Sequence, residues 1–240
     1  MRTSNRWFTL LASTPGVNAD DRTARAAYLR LDRAYTAPIR SYHTWHHVRW
    51  CFDRLDRYCD SVATGPDERL ALGYAIFYHD AEYDPGAPDN EDRSADLARR
   101  EMGDLCVPDL IVEVTAALIL ETRHQPSAAP DRSVGLLRDL PYARSRRTDE
   151  ADRLFRATAP VMTDVDLSIL GARAHTVLAY DRAIAGEYGH LPAQRFREGR
   201  RAILLGFLDR TWIYETEFFR SRLETRARRN LEMLVRRFYS

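Results

Sequence analysis

His79 and Asp80 put an imidazole nitrogen and a carboxylate oxygen on adjacent residues, directly after the apolar run Ala71 to Tyr78. Such a run is expected to be buried, and polar groups at its end need a partner; a cation is one. A core histidine with a hydrogen-bond partner beside a capping aspartate is the bland alternative for any such pair. Two further groups weigh against it. His43 and His47 are four residues apart, so on a helix they share a face and can bind one metal or line one pocket, while His46 points elsewhere. Asp164 and Asp166 interrupt the otherwise apolar segment Ala159 to Gly171, where an unpaired acid is expensive. His47, His79, Asp80 and either Asp164 or Asp166 together offer two nitrogens and two oxygens from three separate segments. That donor set suits a divalent ion such as Mn, Fe, Zn, Co or Mg. No thiolate enters it, which argues against a structural zinc site.

These residues need helices to hold them. Arg6 to Leu11 is a short amphipathic start, and Asp20 to Tyr35 carries Ala24, Ala27, Tyr28, Leu31 and Tyr35 at helical spacing. A second helix is expected over Ser41 to Tyr58 with Ser41 as its cap, and Glu68 to His79 is the helix that delivers His79-Asp80. After the turn between Pro85 and Pro88, Asn90 to Met102 reads as a polar amphipathic helix, for which Asp89-Asn90-Glu91 supplies the N-terminal cap. Pro108 to His124 contains the β-branched residues Ile111, Val112, Val114 and Thr115, but its length and helical context favour a helix. Gln125 to Arg153, rich in proline and arginine, reads as a loop over the site or an insert. Arg173 to Tyr188 and Arg195 to Phe238 are helical, the latter with one or two breaks and a long apolar stripe. With no convincing strand, repeat or glycine-rich phosphate loop, the expected fold is all-α: one compact helical domain over residues 1–240, its core over about residues 20–235.

The totals exclude several classes of function. The 36 basic and 35 acidic residues leave a net charge of +1, so no nucleic-acid duplex and no anionic membrane is expected as a partner. Every basic residue is arginine. Three cysteines without a CxxC pair fit free thiols better than a disulfide framework. No apolar run is long enough to span a bilayer, and the N-terminus is too weakly apolar for a signal peptide, so a cytoplasmic location is expected.

The order of motifs resembles the HD superfamily of metal-dependent phosphohydrolases, in particular a bacterial group of predicted HD-type phosphohydrolases. The resemblance is carried by Arg40-Ser-Tyr-His43 with His47, by Phe77-Tyr-His79-Asp80-Ala-Glu82-Tyr83-Asp84, and by Asp89-Asn90-Glu91 with Ser94-Ala95. Thr122-Arg123-His124, Thr163-Asp164-Val-Asp166-Leu167, Glu187-Tyr188 and Glu224 with Ala227 and Asn230-Leu231 continue it, so that it runs from Arg40 to Leu231. It implies an HD-like all-α fold with His47, His79, Asp80 and Asp166 as ligands, Asp166 matching the family's last aspartate better than Asp164. His124 matches an extra histidine of two-metal members and His43 is a second candidate, so one or two ions are expected. The implied activity is hydrolysis of a phosphate ester or nucleotide by a water that the metal activates. Glu82 or Asp84 would serve as general base or proton shuttle, and Arg40 and Arg123 as phosphate anchors, against a background in which lone arginines mostly form surface salt bridges.

Two other readings compete. The surplus histidines His43 and His124 could complete the ligand set of an HD-type di-iron oxygenase. The C-terminal apolar stripe could instead be an interface, as in a homodimeric nucleotide-binding or scaffold protein without catalysis.

Overall fold

Pro66–Tyr78 forms a helix, α4, whose apolar side chains leave it no polar face: Leu70 to Tyr78 are all buried. A helix of that kind has to be surrounded on every side, and its position organises the rest of the molecule. The computed structural model describes residues 3–17, 21–124 and 147–239. Around α4 pack α1 (Thr3–Ala12), α3 (Trp45–Cys59), α5 (Asn90–Asp104), α6 (Asp109–Glu121) and α7 (Arg147–Leu167). The remaining helices are α2 (Asp21–Tyr35), α8 (Ala174–Glu187), α9 (Ala193–Leu208) and α10 (Glu217–Phe238), with a 3-10 turn at Ser168–Gly171. The fold is all-α, with no strand among the described residues.

α4 starts at a proline in its first turn and is closed by the Glu68 carboxylate, which accepts from the Gly65 N–H at 2.9 Å. Trp7 on α1 stands edge-on to Phe77 at 5.2 Å and donates its indole N–H to the Ala24 carbonyl, tying α1 and α2 to the central helix. The β-branched segment expected as a helix is one: α6 runs from Asp109 and is buried over Ile111–Ile119 except at Glu113. Its apolar surface on two sides packs against α4, α5 and α7, and this tertiary setting outweighs the strand propensity of Ile and Val.

Two boundaries differ from the expectations. α3 begins at Trp45, capped by Thr44, whose hydroxyl accepts from the His46 N–H at 3.3 Å, and not at Ser41. The N–H groups of Ser41, Tyr42 and His43 are all taken by the Glu187 carboxylate, at 2.7, 2.7 and 3.0 Å, which holds residues 41–43 in a turn. His43 and His47 therefore do not share a helical face. The described part of the expected loop over Gln125 to Arg153 is helical, because α7 already starts at Arg147; residues 125–146 lie outside the described residues. The C-terminal stretch breaks once, between α9 and α10, and its stripe turns inward: Leu204, Phe207, Ile213, Leu223, Leu231 and Leu234 are buried within the chain, while Ile203 stays exposed. The 3-10 turn meets α10 closely enough that a Cβ on Gly171 would lie 2.7 Å from Leu223 Cβ, so this contact requires glycine.

Candidate metal centre

Three helices aim their termini at one point. His47 lies one turn into α3, His79 and Asp80 follow the last residue of α4, and Asp166 is in the last turn of α7. His47 and His79 are buried, and Asp80 and Asp166 are mostly covered, with side chains 19% and 15% exposed on the open side. His47 Nε2 and His79 Nε2 are 3.0 Å apart. Asp166 Oδ1 is 3.0 Å from His47 Nε2 and 3.7 Å from His79 Nε2; Asp80 Oδ2 is 3.5 and 3.1 Å from the same two atoms. The His79 Nδ1–H points at the Ile76 carbonyl at 3.1 Å, which leaves its Nε2 lone pair facing the cluster.

Such a meeting of acceptors is unstable without positive charge between them. Burial opposes charge on His79, yet the carboxylates of Asp80 and Asp166 outweigh it and raise its pKa well above the ordinary value. Burial would likewise raise the Asp166 carboxyl, but the imidazoles of His124, His47 and His79 hold it well below the usual range. On His47 burial wins, and its pKa is lowered. Two imidazole nitrogens and two carboxylate oxygens at these separations fit a divalent cation of the first transition row or Mg, and this chemistry alone does not choose among them.

Cys51 also belongs to the cluster: His47, Cys51, His79 and Asp166 each have a donor atom within 4.8 Å of the others. Its sulfur is 3.7 Å from His47 Nε2 and 3.8 Å from Nδ1, so it rests against the ring instead of lying on either nitrogen's lone pair. Burial pushes its thiol well up, as expected of a protonated packing group. Asp80 places an oxygen 3.5 Å from His47 Nε2 and 3.1 Å from His79 Nε2, and competes with the thiol for the fourth place. The spacing of four between His47 and Cys51 on one helix is the sequence signal for this thiol.

The two alternatives at the end of α7 part company. Asp164 accepts from the N–H groups of Glu215 and Thr216 at 2.7 and 2.8 Å and from the Thr216 hydroxyl at 2.6 Å, which spends its carboxylate on the chain before α10. Asp166 faces the histidines with both oxygens: Oδ1 as above, and Oδ2 at 2.6 Å from His124 Nε2. His124 follows α6 in a left-handed backbone conformation, φ 44°, that turns its ring toward Asp166. His43 sits further out, its Nδ1 2.6 Å from Glu187 and its ring 6.0 Å from that of His47. His46 is exposed.

The remaining candidates surround this centre or leave it. Arg40 is buried and gives its guanidinium to the carbonyls of His43, Asp80 and Ala81 at 3.1, 2.6 and 2.9 Å, so it fixes the backbone that carries Asp80. Arg123 lies between Glu91, at 3.9 Å, and Asp92. Glu82 pairs with Arg93 at 3.3 Å, and Asp84 accepts from the Gly86 N–H at 2.9 Å within its own turn. Asp89 occupies the N-cap position of α5 without a side-chain cap bond. Asn90 instead pins the 84–87 turn through Asp84 N–H and C=O, at 2.9 and 2.8 Å. Burial and the charge of Asp80 hold the Glu91 carboxyl up, which places Glu91 within the field of the centre. Glu187 and Tyr83, whose hydroxyl donates to Glu187 at 2.8 Å, complete the rim; neither was assigned a role from sequence. Among the described residues no helix is long and apolar enough to cross a membrane.

Comparison of the chain with family models, with curated proteins and with solved structures found no match.

Proposed function

We propose that this protein is a metal-dependent hydrolase of phosphate esters or nucleotides. The observation that carries the reading is that His47 Nε2 and His79 Nε2 lie 3.0 Å apart, and each lies 3.0–3.7 Å from both Asp80 Oδ2 and Asp166 Oδ1. A bound divalent ion supplies a water of lowered pKa and neutralises charge on phosphoryl oxygens. The chain's own residues do the rest. His79 is oriented by the Ile76 carbonyl, and Arg40 fixes the backbone at Asp80. Glu91, with its carboxyl held up by burial and by Asp80, is better suited to relay a proton than Glu82 and Asp84, which are engaged elsewhere. Arg123 is the remaining arginine near the centre with a guanidinium that a phosphate could recruit.

One observation favours two ions over one. The two oxygens of Asp166 face different histidines, so its carboxylate is placed to bridge. A bridged pair of irons is also what the oxygenase reading requires. Elemental analysis of untagged protein, followed by phosphate release from a panel of phosphomonoesters and nucleotides, separates the readings. We expect bound metal and turnover, both lost in His79→Ala/Asp80→Ala. Full turnover in that variant would sink the hydrolase; two irons with substrate-dependent oxygen uptake would replace it, and metal without any turnover would leave a binding protein.

A further inference from the structure

A second charged feature lies away from the metal centre. Between α3 and α10 is a cleft of about 390 Å3 lined by Arg54, Arg57, Arg222 and Arg226, with Asp60 as its acid and Phe218 on its wall. In a chain with 36 basic and 35 acidic residues, such an excess is unusual. Elsewhere the arginines find carboxylates, as in Arg6 with Asp56, Arg99 with Glu113, Arg200 with Asp181 and Arg228 with Glu224. Among the described residues none of the four cleft arginines forms an ion pair, and Asp60 stands beyond salt-bridge distance of all of them.

Three of the four arginines are held in place without being neutralised. Arg54 stacks on the Trp50 ring at 4.2 Å, and its Nε is buried with no hydrogen-bond partner. Arg222 lies over the Phe218 ring at 4.0 Å and bonds the Phe218 carbonyl at 2.9 Å through Nη1. Arg226 is anchored through Nε to the Gly171 carbonyl, which leaves the outer nitrogens of its fork for another acceptor. Burial first, then the like charge of Arg57, lowers the pKa of Arg54. Like charges gathered and preorganised in a concave site favour an anion.

We propose that this cleft binds a small polyphosphate anion, pyrophosphate or the polyphosphate tail of a nucleotide, at a site distinct from the metal centre. Four guanidinium groups against one carboxylate leave three unneutralised positive charges, the charge of a di- or triphosphate and more than one phosphate monoester needs. The volume is within the range of small-ligand sites, about 300–1,000 Å3, and too confined for a nucleic-acid duplex. The occupant would bridge α3, which also carries His47 seven residues before Arg54 and so about 10 Å along the helix axis, to α10.

The test is calorimetric titration of the full chain with pyrophosphate and, separately, ATP, at low and at physiological salt. The proteins compared are wild type, Arg54→Gln/Arg222→Gln, the exposed-site variant Arg57→Glu, and His79→Ala/Asp80→Ala. Wild type is expected to bind both ligands, more weakly as salt rises. Loss of two charged donors weakens binding about tenfold to hundredfold, and Arg57→Glu weakens it by at least about tenfold, with melting temperatures of the ligand-free proteins unchanged or raised. The metal-centre variant should keep the binding that the arginine variants lose. Absence of binding to wild type would overturn the proposal, as would binding lost in His79→Ala/Asp80→Ala but kept in both arginine variants, since the anion would then be at the metal centre. Binding of a short oligonucleotide without any binding of pyrophosphate or ATP would overturn it as well.

Discussion

Buried carboxylates of two kinds occur in this chain, and they differ in what faces them. Asp164, Glu187 and Glu224 are met by donors. Glu224 takes the N–H groups of Ile213 and Tyr214 at 3.1 and 3.2 Å and Arg228 Nε at 2.7 Å; Glu187 takes three consecutive N–H groups and the Tyr83 hydroxyl. Asp80 and Asp166 are met by imidazole nitrogens, and no backbone N–H among the described residues donates to either carboxylate. A carboxylate filled with N–H bonds closes a turn: residues 41–43 for Glu187, and 213–216 for Asp164 and Glu224. One that faces imidazole nitrogens leaves a gap that could hold a cation. The functional group is the same in both; the count of donors decides the role.

The comparison can be broken most severely at the metal centre. Substituting His79 and Asp80 together by Ala is expected to take metal content from about one equivalent or more to none, read by elemental analysis, because half the donor set is removed. If the metal remained, the assignment of acceptor-rich carboxylates as ligands would fall. Asp164→Ala should do the opposite: metal content unchanged, and stability lowered by about 3 kcal/mol in denaturant unfolding, since a buried acceptor of two N–H groups and a hydroxyl disappears. A loss of metal in Asp164→Ala at unchanged stability would exchange the two roles.

Glu187 sharpens the contrast through pH. Burial opposes its charge, but the His43 ring and the N–H groups of Tyr42 and His43 hold its carboxyl down to about 2. An unfolded glutamate titrates near 4.3, so the folded state binds protons less readily; the stabilisation is present above about pH 4.3 and lost as pH falls through about 2. Glu187→Gln should therefore cost about 1–2 kcal/mol at neutral pH once solvent screening is allowed for, and its deficit relative to wild type should shrink toward zero on acidification. A deficit independent of pH would mean that the glutamate acts by shape and not by charge. The smallest effect is expected at Cys51. Cys51→Ala should weaken metal binding less than about tenfold, below the cost usual for an orienting neighbour of a ligand. A loss of a hundredfold or more would make the thiolate a ligand and displace Asp80 from that place.

Much of this was readable along the chain because it depends on local pattern. The helical spacing of Asp21–Tyr35 and the apolar length of α4 specify helices by themselves, and adjacency of His79 and Asp80 at the end of a buried helix needs no knowledge of the fold. The rest required tertiary structure, because it depends on which groups from distant segments meet. Asp164 and Asp166 lie two residues apart in one apolar segment, where the resemblance favours Asp166; the approach of Thr216 to one and of His124 to the other gives them separate roles. His43 and His47 have metal-ligand spacing, but the Glu187 carboxylate, 144 residues from His43, consumes the N–H groups that a helix over residues 41–43 would have used. Arg40 reads as a candidate phosphate anchor in isolation, and the fold sets its guanidinium on the backbone of Asp80, 40 residues away. The sequence by itself determined the helices and the inventory of donors and acceptors; the packing of those helices decided which acceptors were paired with N–H groups and which were left facing one another.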